Sequence, residues 1–135
     1  FTPGEVGKNK AQAAALVLQS RNPFITLEPY PYAVDCGNVK ELVEGWDLIL
    51  DGCDNFSTRF LLHDACRAAG KPLVTAALHQ WEAQVQVFDF RNPGPGCLRC
   101  LYPEAPVDGC VGTCGETGVA GALAGAAGSL QALLG

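Results

Sequence analysis

An α/β fold with a mainly parallel sheet and helices on both faces is predicted for this chain, on three observations. Helical and strand patterns alternate along the sequence, as they do when crossover helices connect parallel strands. The run Asp47-Leu-Ile-Leu-Asp51 is short, wholly apolar and bounded by acids, which suits a strand buried on both faces. With 135 residues, 48% apolar and 17% charged, the chain can bury one core and has the wrong balance for disorder.

The elements follow in order. Lys8 to Arg21 is predicted as a helix, because Ala11, Ala14, Ala15 and Leu18 recur at helical spacing and Asn22-Pro23 stops it. Ile25 to Tyr32 reads as an extended segment whose prolines mark it as an edge or turn-flanked strand. Asn38 to Glu44 is a short helix with Asn38 as its expected cap, and Asp47 to Asp51 is the buried strand. Gly52 to Asn55 is a tight turn, and Phe56 to Ala69 a helix closed by Gly70. Leu73 to Ala77 is a further strand, and Gln84 to Phe88 alternates polar and apolar as a half-exposed one. Beyond the loop Asn92 to Gly96 lies a cysteine-rich segment over residues 97–114. A helix follows whose Gly118, Gly121, Gly125 and Gly128 share one face. Such a face admits another backbone closely, and the helix is expected to be buried at the centre of a domain or dimer.

Composition excludes several classes of function. The net charge is −5 and the pI about 4.8, so the chain repels phosphate backbones and nucleic acid is not an expected partner. Thr117 to Gly135 is uncharged, but its Gly/Ala content, Ser129 and Gln131 argue against a membrane span. Seven cysteines, an odd number, in a chain that can build its own core and is expected to carry no leader, favour a reducing, cytoplasmic setting over a disulfide framework. There is no methionine, and the numbering is expected to begin inside a longer gene product.

Four places could carry chemistry. Asp51-Gly-Cys-Asp-Asn55 falls at the carboxyl end of a strand, where open α/β sheets bind ligands. There Asp54 or Asn55 either caps the next helix, or Asp54 holds Mg²⁺ at a nucleotide, which needs only one or two carboxylates beside phosphate oxygens. Gly7-Lys-Asn-Lys10 puts lysines at a helix start, against the macrodipole. They are solvated surface residues, or they face a bound anion. Cys97-Leu-Arg-Cys100 supplies half of a tetrahedral zinc site. Cys110 and Cys114, or cysteines beyond residue 135, would complete it. A redox pair is the other reading, ranked below zinc because no helix start is evident after Cys97. Cys114 precedes the glycine-faced helix, where the dipole favours a thiolate nucleophile. It could equally be a zinc ligand or inert.

Read in register, a set of segments resembles the ubiquitin-activating-enzyme-like adenylyltransferases of the ThiF/MoeB/HesA type. They are Gly7-Lys-Asn-Lys-Ala11, Asp51-Gly-Cys-Asp-Asn-Phe-Ser-Thr-Arg59, Lys71-Pro-Leu-Val74, Glu82-Ala-Gln-Val85, Cys97-Leu-Arg-Cys-Leu-Tyr-Pro103, Cys114 and Gly128-Ser-Leu-Gln-Ala132. The resemblance covers nearly the whole chain. It implies a Rossmann-like fold and an enzyme that uses MgATP to adenylate the C-terminal glycine of a ubiquitin-like sulfur-carrier protein, for sulfur transfer in thiamine or molybdopterin biosynthesis. It implies that Lys10 contacts phosphate, that Asp54 holds Mg²⁺ and positions ATP with Asn55, and that Arg59 supports them. It implies that Cys97 and Cys100 bind Zn²⁺, and that Cys114 links to the carrier or relays sulfur. A homodimer and a sulfurtransferase or cysteine desulfurase are the further expected partners.

Residues 1–135 are thus expected to be the C-terminal part of one adenylyltransferase domain. The family's Gly-rich nucleotide loop, its ribose-reading acid and an arginine-bearing helix would lie upstream of Phe1, so this segment alone is expected to be inactive. The second zinc-binding C-x-x-C has no counterpart here. Ala76 and Ala83 stand where many members have glycine, and Gln80 where many have arginine. The alternative to an active enzyme is a degenerate, zinc-stabilised scaffold or inactive partner subunit of the same fold. An NAD-type oxidoreductase on a similar sheet is disfavoured by the Asp-x-x-Asp-Asn turn.

Overall fold

The computed structural model describes residues 2–92, 94, 96–105 and 118–135. The chain divides into two compact units, one ending at Ala33 and the other beginning at Val34.

The first unit holds a turn of 3₁₀ helix, Pro3–Glu5, and helix α1, Lys10–Arg21. Gly7 has a φ of 85°, and α1 starts two residues later than expected because Asn9 is its cap. The Asn9 Oδ1 accepts the Gln12 amide at 3.2 Å, and Asn9 Nδ2 donates to the Pro31 carbonyl. The predicted strand at Ile25 to Tyr32 is not formed, and this segment runs as irregular backbone. Pro23, Pro29 and Pro31 remove three backbone donors from a stretch of nine residues, too many for a ladder.

The second unit is the α/β body. It comprises α2 (Val39–Glu44), β1 (Ile49–Asp51), α3 (Phe56–Ala69), β2 (Leu73–His79), β3 (Glu82–Phe88), α4 (Leu98–Leu101) and α5 (Gly121–Leu134). The sheet order is β1-β2-β3. β1 and β2 are parallel, with Asp51 opposite Thr75, as the crossover through α3 requires. β2 and β3 are antiparallel, because the two-residue turn Gln80-Trp81 reverses the chain directly. The α/β class therefore holds, with the three strands forming a mixed sheet.

Helices cover both faces. Leu73 and its register partner Phe88 join Val39 and Val43 of α2, Phe60 and Cys66 of α3, and Leu98 of α4 in the main core. On the other face α5 lies against β2 and β3, and its end reaches Leu50. α3 is bounded as expected: Asn55 caps it, and Gly70 ends it at φ 65°, a conformation that favours glycine.

Two expectations about helices are corrected. Asn38 does not cap α2 with its side chain; the Asp35 carboxylate accepts the Gly37 and Asn38 amides instead, forming the turn before α2. Nor is α5 buried at the centre of the domain, the first of its two expected places, since within a single chain only Ala127 and Gln131 are buried along it. A Cβ added at Gly121, Gly125 or Gly128 would meet nothing within 4 Å. Among the described residues no helix is long and apolar enough to cross a membrane.

Candidate nucleotide and thiol sites

The carboxyl ends of β1 and β2 carry a buried polar cluster. Asp51, the last residue of β1, is 1% exposed, and Thr75 opposite it in β2 is 2% exposed. The Thr75 hydroxyl donates to Asp51 Oδ2 at 2.8 Å and accepts from Arg59 Nη1. That guanidinium comes from the second turn of α3, and its Nη1 pairs with Asp51 Oδ2 at 3.4 Å. Nη2 donates to the carbonyls of Cys53 at 2.6 Å and Ala76 at 2.9 Å. Gln131 of α5 completes the cluster, its Nε2 donating to the carbonyls of Asp51 at 2.7 Å and Val74 at 2.9 Å. A buried ion pair is tolerated only when its remaining lone pairs and protons are engaged. Among the described residues no buried side-chain nitrogen or oxygen lacks a partner.

Above this cluster runs the turn of residues 52–55. Asn55 caps α3: its Oδ1 accepts the Thr58 amide and the Ser57 hydroxyl, each at 2.8 Å. Asp54 is exposed, and among the described residues no hydrogen bond or ion pair engages its carboxylate. Of the two capping candidates the cap is therefore Asn55, and the acid beside it is left facing solvent at the strand's carboxyl end. Beneath it, the Cys53 thiol is pushed up to about 12, chiefly by burial and then by the Asp51 carboxylate it faces. Lys8 and Lys10 are both exposed, Lys10 being the first residue of α1 in the other unit.

The thiol site lies at α4. Cys97 and Cys100 bring their sulfurs to 3.3 Å. A four-residue helix does begin after Cys97, which removes the ground for ranking a redox pair below a metal pair. Cys97 is buried while Cys100 is exposed. The Cys97 thiol is lowered by the hydrogen bond from Cys100, with a contribution from the Arg67 guanidinium 3.7 Å away. Cys110 and Cys114 lie outside the described residues, and among those described no group of three or more His, Cys, Asp or Glu gathers to hold a metal.

His63 bolts α4 to α3, and sequence reasoning missed it. It is wholly buried, flanked edge-on by Phe88 and Phe90. Its Nε2 accepts the Leu98 amide at 3.0 Å, so the ring proton sits on Nδ1 and donates to Asp64 at 3.0 Å. Asp64 also takes a two-pronged bond from Arg99, which holds its carboxyl below the usual range. The spacing of His63 on α3 put it on the apolar face, but nothing in the sequence linked it to residue 98.

The chain is similar to known proteins over most of its length. The chain is 44% identical over 128 residues to the SAMP-activating enzyme E1 of Haloferax volcanii, covering 95% of this chain and 46% of that protein. It is 42% identical over 136 residues to a sulfur carrier protein adenylyltransferase of Thermus thermophilus, covering 98% and 50%. It is 39% identical to the adenylyltransferase and sulfurtransferase MOCS3 of Mus musculus, covering 96% of this chain and 28% of that one. The chain thus spans half or less of the length of these relatives. The crystal structure of selenomethionine PaaA shares the fold, with a TM-score of 0.59 over 83% of this chain and 41% of that one, at 18% identity. Residues 1–134 match the ThiF family, and the chain belongs to that family.

Proposed function

We propose that the protein adenylates the C-terminal carboxylate of a ubiquitin-like sulfur-carrier protein, the carrier's carboxylate oxygen bonding to the α-phosphorus of ATP as pyrophosphate leaves. One observation carries this reading: Asp54 projects from the carboxyl end of β1 as an exposed carboxylate with no protein partner among the described residues, above a cluster that holds its turn. The names of the relatives support the same reading, since they are carrier-activating and adenylyltransferase enzymes.

The residues fit that chemistry. Joining a carboxylate to a phosphate brings two anions together, and the protein's task is positioning and charge compensation. Magnesium, which binds through one or two carboxylates plus phosphate oxygens, would be held by Asp54 and would offset that charge. The Oδ1 of Asn55 is taken by the cap, leaving its Nδ2 to donate to ATP. Lys10 keeps the role of phosphate contact on the family resemblance alone. Cys97 and Cys100 would supply two of four zinc ligands, and Cys114 the thiol that relays sulfur or links to the carrier. Service to thiamine or molybdopterin synthesis, a cytoplasmic location, and a sulfurtransferase or desulfurase as co-worker belong to the same proposal. So does a homodimer, for which the bare glycine face of α5 and its exposed Leu130 and Leu133 are the supporting features.

The test is carrier-dependent exchange of labelled pyrophosphate into ATP by the full-length protein. Asp54→Asn is expected to lower the exchange rate by about a hundred-fold or more, as loss of a key electrostatic group does. Its melting temperature should hold, because Asn55 and not Asp54 caps α3. Unaltered exchange in this variant removes the reading.

A further inference from the structure

Among the described residues, the carboxylate at the centre of the proposed function makes no contact of its own that fixes it, so its position is inherited from the backbone before it. That backbone is gripped on both sides of one residue. The Cys53 amide donates to Asp51 Oδ1 at 2.9 Å, and the Cys53 carbonyl accepts from Arg59 Nη2 at 2.6 Å. The next residue is Asp54. We propose that Arg59, with Asp51 and Thr75, is a positioning residue for the nucleotide site: it acts on magnesium and ATP through the Cys53 peptide and Asp54, and does not touch the nucleotide. This inference rests on the reading of Asp54 given above and deepens it.

The contacts of Arg59 all lie inside the protein. It is 7% exposed, its Nη1 is shared between Thr75 and Asp51, and its Nη2 between Cys53 and Ala76. Both terminal nitrogens of the fork are spent inside the protein. Lysine cannot replace it, because one ammonium on a flexible stem does not hold two carbonyls, a hydroxyl and a carboxylate at once. Gln131 underpins the arrangement from α5, tying the carbonyls of Asp51 and Val74 where the two strands end. The turn that bears Asp54 is therefore fastened to α3, β1 and β2, and its base to α5.

The experiment measures pyrophosphate exchange against magnesium concentration for the full-length protein, Arg59→Lys, Asp54→Glu and the double variant, with a melting temperature for each. Arg59→Lys should raise the magnesium concentration for half-maximal exchange by about ten-fold, the usual effect of losing a group that orients a metal-binding carboxylate. In the Asp54→Glu background the same change should add less than about two-fold, because a residue that acts only through Asp54 has nothing left to act on. Full additivity in the double variant overturns the proposal, as does a magnesium requirement unchanged by Arg59→Lys. Should Arg59→Lys fail to fold, Thr75→Val removes the shared hydroxyl and should raise the magnesium requirement in the same direction, with Thr75→Ser restoring it. No change in Thr75→Val then overturns the proposal. Wild-type protein that exchanges no pyrophosphate is a separate result, which removes the functional reading itself.

Discussion

Asp54 and Asn55 are neighbours with divided tasks. The amide side chain satisfies the first turn of α3, and this frees the acid from any structural duty among the described residues. Asn55→Ala should therefore cost about 1 kcal/mol of stability, the usual value of a lost cap, read as a shifted urea midpoint at unchanged slope. The sequence showed that a cap or a ligand stood in this turn but not which residue was which, since both types can cap. Choosing between them needed the direction of each side chain. The cluster beneath was less legible still. Arg59 lies 16 residues from Thr75, and Gln131 lies 80 from Asp51; no local pattern encodes such pairings. Only the position of Arg59 within the family's turn motif drew notice to it, and there it read as a supporting residue rather than as the partner of a buried acid.

Among the elements, α3 was legible at both ends because each boundary has a local chemical cause, an asparagine cap and a left-handed glycine. α4 was not, since four residues leave no period to read and its stability comes from elsewhere. That source is His63, whose Nε2 takes the Leu98 amide, together with the Asp64–Arg99 pair and the Arg99 guanidinium 4.8 Å over the Phe60 ring. His63→Leu should leave the Leu98 amide buried without an acceptor. A loss of about 1–3 kcal/mol is expected, with faster alkylation of Cys97 as α4 loosens; peptide mapping after brief iodoacetamide treatment checks it. The segment 25–32 failed the strand reading for the opposite reason. Its extended conformation was predicted from proline-flanked residues, but a strand also needs donors for a neighbour, and prolines supply none.

For the whole molecule, two sequestered thiols set a limit on the alkaline side. Burial pushes Cys53 up to about 12 and Cys66 up to about 11, against an ordinary 9.0. Above that ordinary value the unfolded chain gives up thiol protons that the folded one keeps, so the unfolded state binds fewer protons and stability falls with rising pH. The decline should begin near 9 and continue through about 11 to 12, and it should flatten in Cys66→Ala; urea midpoints across that range test it. The acid side runs the other way. The lowered carboxyl of Asp64 contributes stability above the ordinary carboxylate range, which is lost as pH falls through its folded value. The α/β class could be read from the sequence because alternation is a global pattern. The third strand was expected but not its antiparallel direction, since that turns on two residues, Gln80 and Trp81, of which Gln80 takes a φ of 49° that glycine or asparagine more often fills.

The row Gly121, Gly125 and Gly128 is a gauge of clearance. Each position has room for a methyl group in the chain by itself, so any intolerance of alanine there in the working assembly would measure how near a neighbouring surface comes, one helical turn at a time.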